Sequence, residues 1–396
     1  MKKQITLKYA ILQGNYWMIF CSVVVYASVF LLSKEFSASE IGILIAWANV
    51  FSVVLQPVIA DFADKSKKIT LQKLSALIAA GGLVPLVILL FIPNVKVAVA
   101  GLFAIVITAA GVLMPLINSI SVYYENKGYN VNYGLARGIG SLSFAVLSYI
   151  LGYLIKIKGE NIVLIAALTL YALIILVLIM FKMNTGEEAH ENNENISSNK
   201  GKNFFRQYKR FTLMLIGVVC LFAFHNMINT YLVQIMAHVG GDSEDMGKSI
   251  AIAAMCELPA MFLFSKVVRK ISADRLLKIS GVFFTIKSVA FYFAGSVMMI
   301  HVSQLLQALS FALYIPASVY YANEVMKEEH KIKGQALLTA ALTAGGVVGN
   351  LLGGYIIDYR GVSMMLLWCI LFSVSGMFIF FVTAEGEPRA EVGSQK

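Results

Sequence analysis

The sequence predicts an all-α polytopic membrane protein with twelve transmembrane helices arranged as two six-helix halves. Three observations predict it. Hydrophobic residues form 59% of the 396-residue chain and charged residues only 14%, where an ordinary soluble domain carries about 25% charged residues. The apolar stretches are apolar all round, without the polar stripe of a helix that meets water on one side. One after another they reach the roughly 20 residues that a hydrocarbon core about 30 Å thick requires.

Helices are expected at 16–33, 39–62, 71–93, 97–123, 133–156, 161–182, 210–237, 246–268, 275–298, 300–323, 333–357 and 361–384. Met1-Lys2-Lys3 opens the chain with positive charge, but the apolar run that follows, Tyr16 to Leu32, is longer than that of a cleavable leader. Placing the N-terminus in the cytoplasm assigns every connection to a side. Twenty-four of the 32 basic residues then fall on the cytoplasmic side, among them Lys65, Lys67, Lys68 and Lys73 after helix two. Six fall outside: Lys34, Lys96, Lys156, Lys158, Lys248 and Arg360. Arg137 and Lys287 remain, both inside helices. This positive-inside asymmetry sets both termini in the cytoplasm of a multi-pass cell-membrane protein. It also accounts for the net charge of +10 without a nucleic acid as partner.

The longest polar stretch divides the chain into an N-terminal half at 1–182, a cytoplasmic linker at 183–208 and a C-terminal half at 209–396 that ends in a short cytoplasmic tail. The linker carries Glu187, Glu188, Glu191, Glu194, Ser197, Ser198 and Lys200, a composition that cannot bury a core. Asn195-Ile196-Ser197 fits a glycosylation sequon, which its cytoplasmic placement makes a chance match. The halves repeat weakly. Gly134-Leu135-Ala136 opens helix five as Gly334-Gln335-Ala336 opens helix eleven. Gly152-Tyr153-Leu154-Ile155 closes the one and Gly354-Tyr355-Ile356-Ile357 the other, and Ala63-Asp64-Lys65 is echoed by Ala273-Asp274-Arg275. Small residues crowd the same two helices, which lets backbones approach closely in lipid. The four cysteines (Cys21, Cys220, Cys256 and Cys369) lie inside apolar segments without metal-ligand spacing and read as packing residues.

Five stretches resemble the oligosaccharide–proton symporter (lactose permease-like) branch of the major facilitator superfamily. They are Asn15-Tyr16-Trp17-Met18; Phe51 to Pro57 continuing to Ala63-Asp64-Lys65; Gly134-Leu135-Ala136-Arg137; Phe205-Arg206-Gln207 with Lys209; and Glu257-Leu258 with Lys287. The resemblance implies the major facilitator fold, with a substrate site at mid-membrane between the halves and alternating access. It implies secondary transport of a small polar, sugar-like solute by proton symport. The proton would be the coupling ion and no cofactor would be needed. The partners would be the small-molecule substrate and the lipid bilayer, and the protein a monomer.

A charge at mid-bilayer is expensive and usually marks a pathway. Glu257 in mid-helix eight, Lys287 in mid-helix nine and Arg137 one turn into helix five are the candidates, against the plainer reading of a static ion pair. Glu257 is the expected proton carrier with Lys287 as its partner, and the resemblance gives Arg137 and Glu257 to substrate and coupling. Phe144 lies two turns after Arg137 on the same face, where the branch stacks an aromatic ring on the sugar. His225 in mid-helix seven reads as a packing residue or a substrate contact. By resemblance, Asp61, Asp64 and Lys65 belong to the cytoplasmic gating loop that runs from Asp61 to Lys68.

The departures from the branch matter as much. Helix ten has Gln304, Gln307 and Ser310 on one face where the branch has three ionisable residues. Helix seven has His225 and Ile228 in place of two acids. Ser121 replaces a carboxylate on helix four, with Glu125 one turn later. Acids and bases are lost together, so no orphan charge is left buried. Two positive charges against one negative leave two outcomes open: Glu125 balances Arg137, or an anionic substrate such as a sugar acid does. A uniporter, an exporter of amphipathic drugs or an organic-anion carrier are the alternatives within transport. A membrane receptor or enzyme is a weaker alternative, since the chain shows no metal-ligand pair, nucleophile elbow or phosphate loop.

Overall fold

The computed structural model describes residues 2–66, 69–181 and 201–385, the side chains of 2–4, 64 and 201–203 excepted. Among the described residues every regular element is helical. In the first half, α1 runs through Lys2–Phe20, a π-helical turn at Cys21–Val25 and Ala27–Ser33. It is followed by α2 (Ala38–Lys65), α3 (Leu71–Phe91), α4 (Lys96–Asn126), α5 (Tyr133–Lys158) and α6 (Ile162–Ile179). In the second half, α7 comprises Lys209–Thr230 and Leu232–His238, α8 is Ser243–Lys270 and α9 is Ala273–Tyr292. Helix α10 comprises Val297–Gln304, a 3-10 turn at Leu305–Ala308 and Phe311–Val325. The last helix, Lys331–Thr383, is broken at Gly361 (φ 82, ψ 175) into α11 before it and α12 after it.

Among the described residues nine helices are long and apolar enough to span a bilayer, or ten with bent α1 taken as one span. The break at Gly361 makes the last of these two spans. Helix α9 supplies the remaining span, its apolar run diluted by Asp274, Arg275, Lys278 and Lys287. The architecture is the predicted all-α, twelve-span one.

Three expectations need correction. The first helix begins at Lys2 rather than at 16. Its early turns bury Tyr9, Leu12, Gln13 and Asn15, whose polar groups bond inside the helix bundle, so hydropathy alone missed them. Helices eleven and twelve meet at a single glycine rather than a loop, because Gly361 alone turns the chain in the left-handed region. The end of the linker is not wholly solvated: Gly201–Gln207 is helical and Phe204 is buried against Tyr208 and His330. The acidic run and the sequon lie outside the described residues.

The helix ends follow ordinary capping rules. Ser37 and Glu40 form a reciprocal capping box on α2, with bonds of 3.3 and 2.8 Å. Asn132 caps α5 by accepting from Leu135 N at 2.9 Å. Helix α1 packs on α5 and α6, α3 on α4 and α6, and α9 on α10. Large apolar side chains face outward all along the spans, Phe91 at 82% and Leu176 at 61% exposure, as lipid as solvent requires.

The chain forms two compact units. The first contains the described residues of Met1–Glu194 with Asn229–Met255 and Asn350–Tyr359; the second contains those of Asn195–Ile228, Cys256–Gly349 and Arg360–Lys396.

Candidate functional site

The residues predicted for substrate and coupling fall into two clusters, one in each compact unit. In the first unit, Arg137 rises from the first turns of α5 and is half-buried. Its Nη1 donates to Ser141 Oγ at 2.6 Å, one turn along the same helix. Its guanidinium carbon lies over the Trp17 indole, 3.9 Å from the ring centroid. Gly140 makes room for this stack, since a Cβ there would lie 2.5 Å from Trp17 Cδ1. Trp17 Nε1 donates to Gln13 Oε1 at 3.2 Å, and Gln13 Nε2 donates to Asn118 Oδ1 at 3.1 Å and to Tyr9 at 2.7 Å. Phe144 stands edge-on to Trp17 at 6.5 Å. The two-turn spacing from Arg137 puts Phe144 beside this cluster, and the ring against the cation is Trp17.

Trp17, Gln13, Asn118 and Ser141 were not singled out from the sequence as site residues. A usable signal existed for two of them: Gln13 and Trp17 are one helical turn apart, and so face the same way on α1. Nothing local marks Asn118, which α4 brings in from far along the chain.

In the second unit, Glu257 of α8, Lys287 of α9 and Gln307 of α10 form one hydrogen-bonded chain. Lys287 Nζ donates to Gln307 Oε1 at 2.5 Å, and Gln307 Nε2 donates to Glu257 Oε1 at 2.8 Å. Lys287 is 1% exposed and Gln307 5%. An ammonium only donates and a carboxylate only accepts, so the amide sits the one way round that serves both. The 3-10 turn at Leu305–Ala308 aligns this face of α10. Gln304, the residue before this turn, is buried as Gln307 is. Ser310 instead bonds back to Leu306 O at 2.8 Å. His225 stacks flat on Phe311 (centroids 4.8 Å, 8°) and meets Phe284 edge-on. An aromatic nest therefore surrounds it.

The expected gating loop is corrected in part. Asp61 to Lys65 continues α2 as helix, and Asp61 pairs with Lys65 one turn on at 2.7 Å. Both side chains are more than half exposed, and such pairs contribute roughly 0–1 kcal/mol. Asp61→Asn is therefore expected to leave the thermal midpoint of purified protein within about 1 °C. A larger drop would show a partner beyond Lys65. The Asp64 side chain and residues 67–68 lie outside the described residues.

Among the described residues no group of three His, Cys, Asp or Glu side chains is placed to hold a metal. A family model described as the MFS_1 like family matches residues 9–368. An uncharacterized transporter of Bacillus subtilis (strain 168), YwbF, is 24% identical, covering 96% of this chain and 95% of its own. The maltose permease of Geobacillus stearothermophilus is 22% identical, with 92% and 90% covered. The crystal structure of the nucleoside transporter NupG superposes with a TM-score of 0.82 at 14% identity, covering 96% of this chain and 98% of its own.

Proposed function

The chain belongs to the MFS_1 like family, and from that membership we propose that it is a proton-coupled symporter of a small polar, sugar-like solute. Transport of small solutes across a membrane, rather than catalysis, follows from the family itself. The coupling rests on one observation, the Lys287–Gln307–Glu257 chain. An amide has one accepting end and one donating end. A proton arriving on Glu257 removes its charge and adds a donor, so the bond it accepts from Gln307 weakens from a charge-assisted one to a neutral one. Loading Glu257 is thereby felt at Lys287 through the Gln307 amide. Glu257 carries the proton; Gln307 and Lys287 position it.

The other cluster suits solute recognition. The Trp17 face, the Arg137 guanidinium and the amides of Gln13 and Asn118 put an apolar platform beside donors and acceptors, as a polyhydroxylated ring requires. Maltose and nucleosides, the solutes named for the relative and the solved neighbour, both contain such a ring. The protein works as a monomer in the cell membrane with both termini cytoplasmic, the halves 1–182 and 209–396 being the moving parts.

Right-side-out vesicles test this with labelled maltose, a nucleoside and matched sugar acids. An inward proton gradient is expected to drive one neutral solute above equilibrium. A protonophore, or Glu257→Gln, abolishes the excess. Equilibration without excess makes the protein a uniporter and overturns the coupling. Competition by sugar acids alone overturns the neutral solute in favour of an anion. Resistance to several unrelated drugs on expression would replace import by efflux.

A further inference from the structure

The chain ends of α1, α5, α7 and α11 lie on one membrane face, opposite the termini, because the spans alternate in direction. On that face two helix crossings, both within the first compact unit, repeat one design. At the first, α5 meets α8. A Cβ on Gly152 would lie 2.5 Å from Ser243 O and 3.0 Å from Gly247 Cα. The Tyr26 hydroxyl of α1 donates to Ser148 O of α5 at 2.6 Å, and a Cβ on Gly247 would meet that hydroxyl at 2.8 Å. At the second crossing, α11 meets α2. Gly42 and Gly354 stand against the carbonyls of Asn350 and Ala38. The Tyr231 hydroxyl of α7 donates to Asn350 O at 2.5 Å, and Ala38 O lies 3.3 Å from it. Helix one answers to seven, two to eight and five to eleven, as in the sequence repeat.

The tyrosines match in detail. Both are 0% exposed. Each stands at the break of its helix, Tyr26 at φ −89, ψ 8 and Tyr231 at φ −105, ψ 21. Each crossing also has a polar clamp at its rim. Lys156 of α5 pairs with Asp242 at 3.0 Å and Glu244 at 2.6 Å. Burial works against the charge on Asp242, but Lys156 and the N–H groups of Asp245 and Glu244 outweigh it and hold that carboxyl below its usual range. Asp358 of α11 accepts from Ala38 N at 3.0 Å and Ser39 N at 2.8 Å, at the N-terminus of α2.

We propose that Tyr26 and Tyr231 are paired plugs that let this face close, each hydroxyl taking water's place on a helical carbonyl that closure would strand. A helical carbonyl keeps a second lone pair, which water serves when the face is open. Glycine packing strips that water away, and a dry carbonyl without a replacement is costly. Phenylalanine keeps the ring and loses the replacement, so it favours the open face. The inference rests on the chain being a transporter, and on neither its solute nor its coupling ion.

Tyr171 provides the control. Its hydroxyl donates to Val106 O at 2.9 Å beside Gly82, the same chemistry with all three residues in the first half. Spin labels on cysteines at exposed Lys158 and Tyr359, with the four native cysteines replaced, read the width of the face by pulsed electron resonance. Tyr26→Phe and Tyr231→Phe are each expected to raise the ratio of long to short separations about fivefold, and together about 25-fold. Tyr171→Phe should lower the thermal midpoint and leave the separations alone. Unchanged separations in the folded double variant, or an equal shift in Tyr171→Phe, would overturn the proposal. If the double variant does not fold, the two single variants decide by the same distances.

Discussion

Replacing Lys287 by methionine is expected to destabilise the protein by about 1–3 kcal/mol, the cost of leaving the buried Gln307 acceptor without its donor and the half-buried Glu257 carboxylate without its cation. Lys287 is 1% exposed, and its charge is matched to Glu257 through the Gln307 amide. Without the ammonium, Gln307 Oε1 loses its donor and the carboxylate loses its cation. The double variant Lys287→Met with Glu257→Gln should recover most of the lost stability, since no charge is then left buried, but it should not accumulate solute. Thermal unfolding of purified protein measures the first effect and gradient-driven uptake the second. If the double variant is no more stable than the single one, the two charges are not coupled through Gln307. If it still accumulates solute against a gradient, Glu257 is not the proton carrier.

The second large effect is expected at Arg137. Lysine preserves the charge but not the planar fork. It cannot lie flat on Trp17 and bond Ser141 at the same time. A half-buried cation–π contact contributes about 0.5–2 kcal/mol and a charged hydrogen bond about 1.5–3 kcal/mol. Arg137→Lys should therefore lower the uptake efficiency (kcat/KM) by roughly tenfold to a hundredfold, with little change in the amount of folded protein. Trp17→Leu should produce a loss of similar size. The two together should lose less than the product of the separate losses, because they remove one shared arrangement. Initial uptake rates normalised to folded protein measure this. Full additivity would mean that Arg137 and Trp17 act on the solute separately.

The membrane class, the number of spans and the family needed no tertiary information. Long apolar segments have one stable solution in lipid, and the solution depends on length and composition alone. Glu257, Lys287 and Arg137 could be picked out for the same reason: a charge inside an apolar run is conspicuous wherever its partner lies. The start of α1 was not legible, because Gln13 and Asn15 are polar residues whose bonds are made by helices far away in sequence. Nor was the break in α7 at Tyr231, which no proline or glycine marks.

Which residues are costly to bury is written along the chain. How that cost is met depends on which helices come together. Gln307 could be seen as a non-titrating replacement on α10, but its service to Lys287 and Glu257 at once depends on three helices converging and on a 3-10 turn that sets its direction. Trp17 carries the arginine because Gly140 leaves space on one side of α5, a matter of packing rather than of spacing along a helix. The glycines of α5 and α11 read as a general allowance for close approach. Only the fold shows what approaches them, a carbonyl and a tyrosine hydroxyl at each of two matching crossings. Hydrogen bonds act over about 3 Å, and residues far apart in the chain come within that distance only when the helices pack.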